Sequence, residues 1–190
     1  MISAFNDLCP LISKLPLDEL KCIVVELMAV FGTHLTTLIR VLPSVTMLSP
    51  ELHAISQVGH NVDISMSRVA FMLQLFMRVV SSKTHPIFLF LDDLNWADES
   101  SLDVLHHILS DIKCSSCVYF VGSYRVNEVP TGHALFKFTR DLQACNVRMN
   151  KIHLDGLNIE DVNQLIGDAL GTFPRICKPL SQLVLRKTKG

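Results

Sequence analysis

The chain has 190 residues, 49% hydrophobic and 18% charged, with a formal net charge of −1. This composition supports a sizeable core and excludes an intrinsically disordered chain. It also lacks the clustered Lys/Arg footprint of a nucleic-acid-binding protein.

The first residues, Met1-Ile-Ser-Ala-Phe-Asn-Asp7, place no basic residue before an apolar core, unlike a secretory leader. The apolar segment Cys22 to Phe31 is short for a membrane span and is interrupted by Glu26. A cytoplasmic chain without nucleic-acid or membrane partners is therefore expected. Cysteines stand at 9, 22, 114, 117, 145 and 177, and reduced, mostly buried thiols are expected. Cys114-Ser-Ser-Cys117 is a C-x-x-C pair, but a structural zinc site needs a second ligand pair at comparable spacing. His106 and His107 do not supply it, because adjacent helical residues point to different sides.

In chain order, residues 1–15 read as a helix started or interrupted near Pro10. Leu17-Asp18-Glu19 opens a clearer one, with Leu20, Ile23, Val24, Leu27, Met28 and Phe31 at helical spacing. Gly32 stands where a C-terminal cap belongs. His34 to Val41 reads as a short helix stopped by Pro43. Residues 43–61 carry Pro43, Pro50, Gly59 and Asn61 without sustained periodicity, which predicts a loop. A long helix follows from about Asp63 to Val80, with Val69, Met72, Leu73, Phe76 and Val80 on one side.

Five consecutive apolar residues, Ile87 to Leu91, then run into Asp92 and Asp93. So short and apolar a run predicts a strand buried on both faces. Asp98 is placed to cap a helix whose buried face carries Leu102, Leu105, Ile108 and Leu109. Cys117 to Ser123 reads as a second buried strand. Strand, helix, strand is a βαβ unit, whose right-handed crossover brings both strand ends to one edge. Ser123, Tyr124 and Arg125 are thus expected near Asp92 and Asp93. A helix around His133 to Leu142, a third strand over Lys151 to Leu154, a helix capped by Asn158 and closed by Gly171, and a last helix over Pro179 to Arg186 complete the reading.

Ligands of open α/β folds bind at the carboxyl ends of the strands. A carboxylate there suits Mg²⁺, a hard cation that takes oxygen ligands and keeps several waters. Asp92 is the candidate for holding the ion through water, and Asp93 the candidate for polarising an attacking water. The guanidinium of Arg125 suits phosphate oxygens. The plainer alternative is a strand leaving the core into a polar turn.

Leu91-Asp-Asp-Leu-Asn-Trp-Ala-Asp98 resembles the Walker B segment of the AAA-type P-loop ATPases of the signal-transduction (STAND) class, usually LDDLQWAD, with Asn95 in place of Gln. Gly122-Ser-Tyr-Arg-Val-Asn-Glu-Val129 resembles that family's next strand end, G-x-Y-R-D-N-E-V, with Val126 in place of Asp. His133-Ala-Leu, Ile152-His-Leu-Asp-Gly-Leu157, Phe31-Gly32 and Leu42-Pro43 continue the likeness over roughly the whole chain.

The resemblance implies an α/β chain: a partial three-layer P-loop fold with parallel strands and the start of a helical lid. It divides the chain into a helical region at 1–84, a core part at 85–155 and a lid start at 156–190. It also implies ATP and Mg²⁺ as cofactors of the complete domain, with Asp93 catalytic and Asp92 and Arg125 nucleotide-binding, Asp92 through the metal. Trp96 is expected to anchor the turn.

One motif is missing. A P-loop needs Gly-Lys before Ser or Thr, because its amides and lysine cradle the phosphates. None of the eight glycines is followed by Lys. In the family that loop lies N-terminal to the segments matched here, and Lys187-Thr-Lys-Gly190 resembles the start of a lid segment. The resemblance therefore implies part of an ATPase domain, with the Walker A region or other domains of a larger signalling protein as partners. Alone, the chain is expected neither to bind ATP tightly nor to hydrolyse it. The alternative is a non-catalytic interaction module derived from such an ATPase.

Overall fold

The computed structural model describes residues 2–56, 64–111 and 117–188. These form two units, Met1–Arg148 and Met149–Gly190. Helix accounts for 68% of the structure and strand for 6%. The expected three-layer α/β P-loop fold is therefore not what this chain forms. The first unit is a helical assembly carrying one two-stranded parallel sheet, and the second is a pair of helices.

The first unit opens with α1 (Ile2–Ile12), which runs through Pro10 and buries Phe5, Cys9 and Ile12. Helix α2 (Leu17–Phe31) buries Val24, Leu27 and Phe31 from the expected stripe. Gly32 ends it at φ +45°, a conformation glycine adopts without Cβ strain, and its N–H donates to the Met28 carbonyl. A 3₁₀ turn over Gly32–His34 leads directly into α3 (Leu35–Val41).

Leu17–Val41 is thus one helical run of 25 residues, long and apolar enough by length and composition to cross a membrane. The sequence reading stopped short of that length because it ended the first helix at Gly32. A core helix of a globular protein passes the same test, and Leu27, Leu35 and Leu38 of this run are buried in the first unit.

Residues 43–48 form a 3₁₀ helix and Pro50–Ser56 forms α4, which overturns the loop expected there. Both prolines stand at the first helical position, where the missing N–H costs nothing and φ is already helical. Ser49 caps α4 by accepting from the Leu52 N–H at 3.2 Å. Val45, Leu48 and Leu52 are buried. The Ser44 N–H donates to Asn6 Oδ1 at 3.2 Å, tying this segment to α1.

Helix α5 (Met66–Val80) buries every residue of its expected stripe. It packs against α6 (Glu99–Leu109), which buries Leu102, Val104, Leu105, Ile108 and Leu109. Asp98 caps α6 as expected, accepting from the Ser101 N–H at 3.2 Å. Just past α6, buried Asp111 is held by the guanidinium of Arg78 and by Gln74 Nε2 at 3.1 Å, both from α5.

Strands β1 (Ile87–Leu91) and β2 (Val118–Gly122) pair in parallel, Ile87 opposite Val118 and Leu91 opposite Gly122. Both strands are where the apolar runs placed them, but β1 is not buried on both faces. Leu89 and Val118 are buried, whereas Phe88 is 68% exposed and shares its open face with Phe90, Tyr119 and Val121. The first unit closes with α7 (Ala134–Ala144), capped by the His133 ring accepting from the Leu135 N–H.

In the second unit, Lys151 to Leu154 is not a strand. Ile152 and Leu154 are each 85% exposed. Short alternation stabilises a strand only against a pleated, half-buried surface, and this segment has no ladder partner. Helix α8 (Ile159–Leu170) begins at Asn158, whose side chain accepts from the Asp161 N–H at 2.9 Å. It ends at Gly171 in the left-handed region. Helix α9 (Pro174–Thr188) is longer than the sequence indicated and passes through Pro179. It packs along α8, with Ser181 Oγ donating to Asn163 Oδ1 at 2.8 Å.

Candidate functional site

The parallel register carries the ends of β1 and β2 to one edge, and the acidic loop after β1 folds back onto β2. The Ser123 N–H donates to the Leu91 carbonyl at 3.0 Å, and the Leu94 N–H to the Ser123 carbonyl at 2.8 Å. Between them Asp93 takes a left-handed backbone, φ 52° and ψ 48°. Few residues other than glycine do so, and Asp is among the more tolerant. Leu94 is buried, and a Cβ on Gly122 would collide with its Cδ1. A side chain at 122 would require Leu94 to shift where the loop closes over the strand end.

Ser123 Oγ donates to Asp92 Oδ1, and the Asp93 N–H donates to the same oxygen at 3.0 Å. The Asp93 N–H also reaches Ser123 Oγ at 3.3 Å. These bonds favour the ionised form and hold the Asp92 carboxyl below its ordinary pKa of 3.8, Ser123 contributing most, the Asp93 amide next and the Arg125 charge least.

A depressed carboxylate contributes stability above its ordinary pKa, and that contribution is lost as pH falls through the lower folded value. Ser123→Ala is therefore expected to move the Asp92 titration back up toward 3.8. Carboxyl ¹³C NMR over the acid range measures this; an unmoved titration would discard the Ser123 bond as the main cause.

Arg125 arrives beside the acids as expected, its Nε 3.4 Å from Asp93 Oδ1. Its Nη1 lies 3.3 Å from Glu128 Oε1. Asn95 joins the two loops: its Nδ2 donates to Glu128 Oε2 at 2.7 Å and its Oδ1 accepts from the Arg125 N–H at 3.4 Å. The sequence reading brought Asp92, Asp93, Ser123 and Arg125 together but gave Asn95 and Glu128 no part. The available signal was that each lies inside one of the two strand-end motifs.

Trp96 does not anchor the turn. Its side chain is 80% exposed, and the turn is held instead by Leu94 and by the Trp96 N–H donating to the Asp93 carbonyl.

The arrangement is open to solvent. Asp92 is exposed, and the side chains of Asp93 and Arg125 are 43% and 62% accessible. Exposed ion pairs are screened and contribute little, about 0–1 kcal/mol. The acids suit a hydrated divalent cation. Among the described residues no glycine-rich phosphate cradle accompanies them, so those residues fit only half of a magnesium-nucleotide site. Among the described residues no group of three or more His, Cys, Asp or Glu side chains could by itself hold a metal ion. Cys114 of the C-x-x-C pair lies outside the described residues.

No protein-family model, curated protein or solved structure matches the chain.

Proposed function

We propose that the loops after β1 and β2 form the acidic and sensor half of a nucleoside-triphosphate switch site in a cytoplasmic signalling protein of the AAA-type class. The observation that carries this reading is the Asp92-Asp93 pair at one strand end, with Arg125 from the parallel neighbour 3.4 Å from Asp93. The motif resemblance at Leu91–Asp98 and Gly122–Val129 supports it. The reading rests on this local strand pair, not on a three-layer domain.

In it Asp92 holds the water ligands of Mg²⁺, Asp93 is the water-polarising acid, and Arg125 is the group that a phosphate oxygen competes for. The phosphate grip belongs to a Walker A region or another domain of the signalling protein. Calorimetry of the chain with magnesium and ATP is therefore expected to show no binding at micromolar concentration and no hydrolysis. Micromolar binding would overturn the half-site reading.

A second reading is a non-catalytic interaction module, favoured by the exposed apolar face of Phe88, Phe90, Tyr119 and Val121. Contiguous exposed apolar surface marks interaction sites. In that case magnesium and ATP would perturb none of the strand-end residues.

A further inference from the structure

Away from the strand ends, a thiol and an imidazole meet where α6 and α7 pack together. Cys145 Sγ lies 3.8 Å from His106 Nε2. Both groups sit on fixed backbone. Cys145 directly follows α7, its N–H donating to the Asp141 carbonyl at 3.1 Å. The next two residues complete the turn, with the Asn146 N–H on the Gln143 carbonyl and the Val147 N–H on the Leu142 carbonyl. His106 is in the last turn of α6, and its ring meets that of His107 edge-on at 6.0 Å.

The thiol is exposed and the imidazole half-buried, so a small reagent reaches the sulfur with the base beside it. A nucleophile with a positioned base in hydrogen-bond reach is the arrangement that activates thiols. The other described thiols differ. Cys9, Cys117 and Cys177 are buried, burial pushes the Cys9 thiol up to about 11, and Cys22 is exposed on α2 with no partner among the described residues.

We propose that Cys145 is a covalent modification site for small electrophiles and peroxides, with His106 as its general base. His106, carrying its own proton on Nδ1, takes the thiol proton at Nε2 as sulfur attacks. With hydrogen peroxide, the S–O bond forms as the O–O bond breaks. Sulfur is oxidised to a sulfenic acid, and the proton passes from His106 to the departing hydroxide, giving water. With an alkyl iodide, the S–C bond forms, iodide leaves and His106 keeps the proton until solvent removes it.

The other ionisable groups lining the cleft between α6 and α7 are Glu99 and Asp103 on α6 and Lys137 and Asp141 on α7; His107 and Arg140 stand next to it on the same helices. Lys137 is paired with Glu99 at 3.2 Å and Arg140 with Asp141 at 3.7 Å. None of these groups is recorded in contact with the Cys145 sulfur, which leaves His106 as its base.

The test is site-resolved alkylation of the full chain by iodoacetamide, read by peptide mass spectrometry, with Cys22 as the internal reference. At neutral pH Cys145 is expected to react at least about threefold faster than Cys22, a low bar beside the ~10²-fold typical of a well-placed general base. In His106→Gln the ratio should fall to about one while Cys22 is unchanged. The unmodified chain gives an independent check: acidification should lower the Cys145 rate more than the Cys22 rate. Equal rates at the two thiols, a ratio unaffected by His106→Gln, or parallel pH profiles would each overturn the proposal.

Discussion

Phe76→Ala is expected to lower the unfolding free energy of the first unit by about 3–5 kcal/mol, the range for large aromatic truncations in packed cores. Phe76 is fully buried near the middle of the stripe that α5 presents to its neighbours. Helix α5 packs against α2, α3 and α6. Removing the ring loses its transfer free energy and leaves a void that the surrounding core closes only partly. Urea denaturation followed by far-ultraviolet circular dichroism measures the change. A loss below about 1 kcal/mol, the size of a surface substitution, would contradict a core centred on α5.

The second large effect is expected at Asp111. This carboxylate is held by the guanidinium of Arg78 and by Gln74, and its own side chain is 5% accessible. Removing one partner of a buried ion pair costs about 3–5 kcal/mol, because the other charge stays behind in low dielectric. Arg78 is 36% accessible, so water relieves part of that penalty. Asp111→Ala is therefore expected to cost about 2–3 kcal/mol. Asp111→Asn keeps an acceptor for Gln74 and should cost less. Both are read from the shift in denaturation midpoint at constant slope. Wild-type stability in Asp111→Asn would mean that the charge on Asp111 contributes nothing beyond its shape, and equal losses in the two variants would mean that the acceptor for Gln74 contributes nothing beyond the charge.

Where the sequence pattern was dense, the fold was legible. The stripe from Val69 to Val80 fixed α5 and its buried side. The apolar runs at 87–91 and 118–122 fixed both strands, and Asp98 and Asn158 fixed two helix starts. The failures have identifiable physical causes. Pro43 and Pro50 punctuate the sequence like breakers, but each is compatible with the first turn of a helix.

The run Ile87–Leu91 is uniformly apolar, and such a run does not say which of its faces is covered. With only two strands among the described residues and an open face, Phe88 and Phe90 are left outside. The three-layer fold followed from the family resemblance of two short motifs, and two motifs do not determine the helical majority around them. Lys151–Leu154 alternates like a strand, but a ladder partner is a tertiary fact that no local pattern contains.

The candidate site was legible to the same degree. Two acids after one strand and an arginine after its parallel neighbour must arrive at one edge, whatever surrounds them. Three further features required coordinates: the left-handed backbone of Asp93, the Ser123 hydroxyl on Asp92, and the bridge of Asn95 and Glu128 behind Arg125. The close approach of Leu94 to Gly122, whose missing Cβ leaves it room, also required coordinates. They also show how open the site is. A site so accessible attracts a cation or a triphosphate weakly unless further groups grip the phosphates.

Residue-resolved NMR titration of the chain with magnesium and ATP at millimolar concentration tests this account most directly. The expected result is weak, unsaturated shifts concentrated at residues 92–94 and 123–125, lost in the double variant Asp92→Asn with Asp93→Asn. Shifts scattered elsewhere, or none at these residues, would contradict it.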